Sequence, residues 1–370
     1  MSKETEGNMQ NPGRIPIITL ILCISAGCLF ADDYWIPKGG PNEEAGKMKT
    51  MEQVEPRTIV TNPLPYYITN SGSFYLTQSM NGSDGNYGII IATNEVKLDL
   101  NGFSLNGTTG SLDGIKVTLI PSDNISIRNG VIRNWGDGFG VNATSASDVV
   151  MQDLKAFRNG WGGLYAGQNA LLERCSVYGC GSSTNAIGYP PKNDAIQVGS
   201  FSTIIDCKAR GNTGTGIHSY GHSRVIGCTA VLSTGATGIN LEDYCTVKDC
   251  TVSQNKIGIS VGNKSRVSEN TVGDNGNNPW AGNYNGPGIF ITGDNNVIER
   301  NIISYNNTGI KVSGLGNLIM NNYISKSRSI GSWNPDLYIV NSNNFIGGAM
   351  STNTYDEVTN SNPWMNFKLP

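Results

Sequence analysis

Along most of the chain, short alternations of apolar and polar residues are separated by turns rich in Gly, Asn and Ser. One alternation returns repeatedly as Gly-Ile-x-Val or a close variant. It stands at Asp113 to Val117, Asp137 to Val141, Gly162 to Ala166, Asp194 to Val198, Thr215 to Ser219, Thr237 to Leu241, Ile257 to Val261, Pro287 to Ile291 and Thr308 to Val312. The baseline spacing is about 21 residues, and each unit contains two further alternations, as in Ser223 to Val231 or Cys245 to Ser253. A period of two means strands, with Ile and Val facing one side and x the other. Three such short strands bury no face alone, but stacked in parallel they enclose a continuous core. The pattern predicts an all-β fold, a single-stranded right-handed parallel β-helix of about ten coils with irregular end caps.

The third alternation of each unit tests this register. Aligned, it places Asn129, Leu154, Cys175, Cys207, Cys228, Cys250, Asn270, Asn301 and Asn322 in one column. Two residues on stand Val131, Ala156, Val177, Ala209, Ala230, Val252, Val272, Ile303 and Ile324, all apolar, as an inward column requires. The four cysteines are then consecutive inward rungs, packed as small apolar groups and continued by stacked asparagines. Parallel side chains point the same way, so free thiols are expected rather than disulfides, and the ladder lacks the His or acidic partners of a metal site. Cys180 and Cys245 fall outside it, in turns.

Outside the repeat, Ile15 to Ala31 is an apolar run preceded by Arg14 and followed by Asp32 and Asp33, which reads as a signal peptide or an N-terminal anchor over residues 1–31, with Cys28 as a weak candidate for lipidation. A linker is expected over 32–65, the β-helix over 66–345 and a C-terminal cap or tail over 346–370. Two units carry insertions, Gly181 to Asn193 and Asn275 to Gly286, with aromatic and proline residues; in a solenoid such loops emerge on one face, often the binding face. The chain has 47 glycines, 15% charged residues and a formal net charge of −3, which gives no basic field for nucleic acid. An extracytoplasmic monomer is expected, secreted, periplasmic or on the cell surface, with no membrane contact beyond an anchor or lipid.

Three segments, Asn94 to Gly107, Asp123 to Val141 and Val297 to Val312, resemble the pectate-lyase-like superfamily, and within it bacterial right-handed β-helix repeat proteins. The resemblance spans roughly residues 66 to 344, and its motifs are mostly core and turn residues. It implies work on polysaccharides outside the cytoplasm, by lyases, epimerases or glycosidases. No cofactor is firmly implied, and Ca2+ is the one ion it raises. The motifs of polygalacturonase-like hydrolases appear only as fragments, at Lys192 to Asp194 and Gly221 to Ser223, and the Asp-Pro-His-Asp motif of mannuronan epimerases is absent.

The outward x column supplies the candidate chemistry. It reads Lys116, Gly140, Tyr165, Gln197, His218, Asn240, Ser260, Phe290 and Lys311; two residues on it reads Thr118, Asn142, Gly167, Gly199, Tyr220, Glu242, Gly262, Thr292 and Ser313. Coils about 4.8 Å apart put His218, Tyr220 and Glu242 within reach of one sugar ring, beside Gln197 and Asn240. β-Elimination on a uronate needs a group that neutralises the carboxylate, a base for the C5 proton and an acid for the leaving oxygen. His218, Tyr220 and Glu242 are the candidate catalytic residues. Lys192, Asp194, Gln197, Asn240, Tyr165, Trp280 and Tyr284 are candidates for holding substrate, and no metal ligands are assigned. A hydrolase would instead pair Asp194 with Glu242. His222 falls in the turn after the strand, and Trp135 and Trp161 are further candidates for stacking on sugars. The expected function is recognition of an acidic polysaccharide, with lyase-like cleavage or epimerisation; the alternative is a non-catalytic β-helix that binds a glycan or a partner.

Overall fold

The computed structural model describes residues 56–118, 122–182, 194–234, 236–276, 286–325, 337–340, 343–347, 349–351 and 366–369. Every regular element among them is a strand, and every strand pair is parallel. The Gly-Ile-x-Val strands form one sheet of 12, beginning at Tyr66–Ile68 and ending at Leu337–Ile339. The other two strands of each coil stack into a second sheet of 24, unified where Ser122–Arg133 and Ala146–Phe157 run through a corner as single strands. The chain is thus a parallel β-solenoid, with its core inside the coil.

The inward side of the smaller sheet is a file of fully buried residues: Ile115, Val141, Leu164, Ile196, Ile217, Ile239, Ile259, Ile289 and Ile310. Each contributes on the order of 1.5–3 kcal/mol by leaving water, and a register slip of one residue would turn the whole file outward. Trp135, a candidate for stacking on sugar, is instead fully buried near the N-terminal end. A Cβ on Gly82 or Gly107 would lie 2.6 or 2.7 Å from its ring, so those glycines make room for the indole.

Three corners per coil are built alike. At each, one residue takes the left-handed conformation: Asn169, Phe201, His222, Tyr244, Lys264 and Asn295 at the first corner; Asp153, Arg174, Asp206, Asp249, Glu269, Arg300 and Asn321 at the second; Arg158, Leu232, Gln254, Asp274 and Tyr305 at the third. None of these is β-branched, as sterics at positive φ demand. The next residue turns inward, and where it is Asn, Ser or Cys its side chain commonly accepts the backbone N–H of its counterpart one coil earlier; Leu154 and Ala170 have no acceptor, and Ser233 Oγ takes no such bond. At the first corner Ser202 N–H donates to Ser223 Oγ (3.1 Å), Cys245 N–H to Ser265 Oγ (3.0 Å) and Ser265 N–H to Asn296 Oδ1 (2.7 Å). At the second, Cys250 N–H donates to Asn270 Oδ1 (2.9 Å) and Asn270 N–H to Asn301 Oδ1 (3.0 Å). At the third, Cys180 N–H donates to Asn212 Oδ1 (2.9 Å) and Asn255 N–H to Asn275 Oδ1 (3.0 Å).

This arrangement corrects the placing of two cysteines. Cys180 and Cys245 are not loose turn residues but inward members of the third and first corner ladders, and all six cysteines of the solenoid are buried free thiols. The first rung of the second ladder is also shifted by one: Leu154 pairs with Gly130 and Ala156 with Ile132, so Asn129 and Val131 are not inward. Asn129 is the left-handed residue of that corner. Alternating Val131 and Ile132 fit either register by hydrophobicity, and the left-handed position decides between them.

Two outcomes are expected. Asn301→Leu removes the acceptor of the Asn270 N–H and the donor to Val267 O (3.0 Å), and urea denaturation should show a loss of roughly 2–4 kcal/mol. All six thiols are at most 1% exposed, which denies reagents access even to Cys250, whose hydrogen bond with Cys228 lowers its thiol while burial pushes Cys180 up to about 11; thiol-reactive reagents at about pH 8 should leave the six native cysteines unmodified and label all of them after unfolding.

Candidate functional site

Strand pairing fixes the outward row of the smaller sheet. Tyr165 lies beside Gln197, Gln197 beside His218, His218 beside Asn240 and Asn240 beside Ser260. Nearer the N-terminus, Asn142 rather than Gly140 stands between Lys116 and Tyr165. The segment Gly138 to Ala143 contains two overlapping Gly-Φ-x-Φ patterns, and the second, Gly140 to Ala143, is the one in register.

The imidazole of His218 is held by an aspartate from the preceding coil. Asp194 Oδ2 lies 2.9 Å from His218 Nδ1, while Asp194 Oδ1 accepts the Thr215 N–H at 3.1 Å. A carboxylate only accepts, so Nδ1 carries the hydrogen and Nε2 is left as the basic nitrogen. The same clamp is seen again at Asp113. Asp113 Oδ1 accepts the Phe139 N–H (2.8 Å), and Oδ2 accepts Asn142 Nδ2 (3.0 Å), again one amide and the side chain three residues on. Asp113 and Asp194 are 5% and 7% exposed. The clamp orients the polar residue that the next coil presents in the row, an amide at Asn142 and an imidazole at His218. The sequence signal was the Asp two places before the first Ile of both units, at Asp113 and Asp194.

Around this pair, Tyr220 lies with its ring centroid 4.9 Å from that of His218, the planes tilted by 30°. Tyr165 is 3% exposed and packs against Phe139 at 4.3 Å, so its ring presents no open face to a sugar. Burial raises its phenol well above the ordinary tyrosine range, reinforced by the charge of Asp194 and opposed by a hydrogen bond with the Asp194 backbone. Gln197 and Tyr220 line an open cleft of about 280 Å³ with Thr144, Ser147 and Gln168.

Asn240 and Glu242 line a different, larger cleft of about 570 Å³, together with His222, Asp243 and Tyr244. Tyr220 and Glu242 therefore serve separate clefts rather than converging on one. In the larger one, the amide and side chain of Asn263 hydrogen-bond Asp243 (2.7 and 3.0 Å), and the backbone bond holds its carboxyl below the usual range. His222 stands at the corner, stacked between Phe201 (4.9 Å) and Tyr244 (4.6 Å). Lys264 Nζ closes the stack with a 2.8 Å bond to Tyr244 Oη. This aromatic file was not read from the sequence, because its members recur only once per coil in otherwise polar turns. Lys192, Trp280 and Tyr284 lie outside the described residues. Among the described residues no three His, Cys, Asp or Glu side chains group as a metal site would.

Residues 67–230 and 194–346 match the family model of the right handed beta helix region. No curated protein matches the chain in sequence. Among solved structures, the A-module of the mannuronan C-5 epimerase AlgE4 from Azotobacter vinelandii aligns with a TM-score of 0.51 at 14% identity, over 73% of this chain and 91% of that one. The Dettilon tailspike protein aligns with a TM-score of 0.53 at 13% identity, over 78% of this chain and 62% of that one. A tailspike protein mutant of an E. coli bacteriophage, in complex with a pentasaccharide, aligns with a TM-score of 0.53 at 11% identity, over 81% and 72%. At these identities the likeness is one of fold.

The clamp makes a pH-dependent prediction. Burial, the largest influence, raises the Asp113 carboxyl above its ordinary 3.8, against the lowering effects of the Phe139 amide, Lys116 and Asn142. A raised folded value means that this group's stabilisation is fully present below the unfolded pKa and is lost as pH rises through the folded one. The stability of the wild type relative to Asp113→Asn should therefore fall as pH is raised from below 3.8 through that window, as measured by urea denaturation at each pH.

Proposed function

Because the chain belongs to the right-handed β-helix family, we propose that it recognises an acidic polysaccharide and transfers a proton on it, with His218 as the base. The observation that carries this reading is the 2.9 Å contact of Asp194 with His218 Nδ1, which leaves Nε2 as the proton acceptor. That two proteins of like fold are an epimerase of mannuronan and a tailspike holding a pentasaccharide supports the choice of a polysaccharide. We also propose that it works outside the cytoplasm, exported by the apolar segment Ile15 to Ala31.

On a uronate, the chemistry runs as follows. The C5 proton passes to His218 Nε2, and the C5–H electron pair is drawn toward the sugar carboxylate. In elimination that pair forms the C4=C5 double bond, the C4–O bond breaks, and the departing oxygen takes a proton from Tyr220. In epimerisation a different proton is delivered to C5 from the opposite face, by Tyr220, and His218 gives up the one it took to solvent, which reprotonates Tyr220. Gln197, beside His218 and in the cleft it shares with Tyr220, orients the ring. Glu242, in the other cleft, contacts a neighbouring sugar rather than the reacting one.

A second reading, glycan binding without turnover, is favoured by the separation of Tyr220 and Glu242 into two clefts. A screen of uronate polymers separates the two. Turnover is expected as new ultraviolet absorbance from unsaturated uronates, or as a changed C5 configuration by NMR. His218→Ala should lower the rate by about 10²–10⁴-fold and Asp194→Asn by a smaller factor, with little change in affinity. No turnover of any uronate polymer by the wild type would leave the binding reading.

A further inference from the structure

The outward row that holds His218 also carries two lysines, and the fold treats them differently. Lys116 Nζ lies 3.4 Å from Asp113 Oδ2, so its charge is met from within. Lys311 has no carboxylate or hydrogen-bond acceptor among the described residues. Its ammonium lies instead over the rings of its two neighbours in the row, 5.1 Å from the centroid of Phe290 and 6.0 Å from that of Tyr338. An aromatic face attracts an ammonium without neutralising it. Phe290 and Lys311 are partly exposed, and Tyr338, on the last strand of the sheet, is 47% exposed. The charge is therefore open to an anion from outside the chain.

A path joins this charge to His218. Asn240, Ser260 and Phe290 follow His218 in the row, one per coil. The cleft of about 570 Å³ runs along the same coils, from Gly221 past Asn240 and Ser260 to Thr292, two residues beyond Phe290. Glu242 stands on its wall, where a carboxylate accepts sugar hydroxyls and repels a uronate carboxylate. The next positive charge along the row is Lys311, four coil steps or roughly 19 Å from His218. A uronate offers on one ring both groups that this end of the row can use, a carboxylate for the ammonium and a C–H face for the aromatic rings. We propose that Lys311, with Phe290 and Tyr338, is a distal subsite that holds a second uronate of the same glycan, about four sugars from the one at His218. This inference rests on the reading of His218 as the base acting on a uronate, and it makes the preferred substrate a long chain lying along the solenoid axis.

The test is calorimetric titration of the full chain with oligogalacturonates and oligomannuronates, each as a trisaccharide and an octasaccharide. Only the longer ligand reaches from His218 to Lys311. For the sugar that binds better, the wild type should hold the octasaccharide about tenfold more tightly than the trisaccharide. In Lys311→Met, which keeps the stem and removes the charge, the ratio should fall to about one through loss of octasaccharide affinity alone, and Lys311→Arg should keep most of it. Raised salt should shrink the ratio in the wild type and leave that of Lys311→Met unmoved. An unchanged thermal melt would show that the variant is folded, and Lys311→Gln carries the same test if Lys311→Met does not fold. Equal affinities for the two lengths in the wild type, a length preference that survives Lys311→Met, an equal loss for both lengths, or no binding of any of these oligouronates overturns the subsite. Its failure leaves turnover dependent on His218 untouched. Conversely, a length preference that depends on Lys311, without any turnover, would sustain the subsite and sink the proton-transfer reading.

Discussion

Inward Ser, Cys and Asn side chains along the corners accept the backbone N–H of the equivalent residue one coil earlier, and the register of the solenoid depends on the ladders those bonds build. Between the strands of a coil the chain must turn sharply, which leaves amides that no sheet ladder can satisfy. Ser, Cys and Asn are small enough to enter the corner, and their side-chain acceptors meet those amides, as in the run from Asn270 through Asn301 to Asn322. The asparagines add a second bond, from Nδ2 to a carbonyl of the preceding coil, as Asn301 does to Val267 O. A buried unpaired amide costs on the order of 1–3 kcal/mol, so each corner penalises any coil that slips. The apolar files then need only be apolar; the corners hold the register.

The site is a consequence of that register. His218 comes from one coil, Asp194 and Gln197 from the coil before and Asn240 from the coil after. None of them is near another in a functional sense until the coils stack. The aspartate clamp is itself a structural device, since Asp113 grips Asn142 in the same way. Chemistry arises because the residue presented to the second clamp is an imidazole, held through one ring nitrogen beside an uncharged cleft. Fold and candidate site are linked through one aspartate that serves both.

Much of this was legible in the sequence, for a physical reason. Gly-Ile-x-Val marks a strand with one apolar face, and its recurrence gives both the coil and the neighbours of each x residue. The row Gln197, His218, Asn240 follows directly. The same logic failed where hydrophobicity was ambiguous. The segment around Gly140 fits two registers two residues apart, and Val131 and Ile132 fit two registers one apart; a left-handed backbone at Asn129 resolves the latter. Cys180 and Cys245 were misplaced because a corner ladder shows only one residue per coil, drawn from Ser, Cys and Asn, with no alternation to reveal it. The aspartate clamp was missed because it joins a residue before one strand to a residue within the next, a relation that side-chain direction decides. The division of Tyr220 and Glu242 between two clefts is likewise a matter of surface shape.

The central claim is that stacking of the coils fixes the His218 imidazole through Asp194. Heteronuclear NMR of the two histidine side chains tests it most directly. The account predicts that His218 is a single tautomer near neutral pH, protonated on Nδ1, with a ring proton that exchanges slowly and becomes labile in Asp194→Ala, while the exposed His222 is unaffected. A His218 ring that averages freely between tautomers in the wild type, or one protonated on Nε2 with Nδ1 bare, would contradict it.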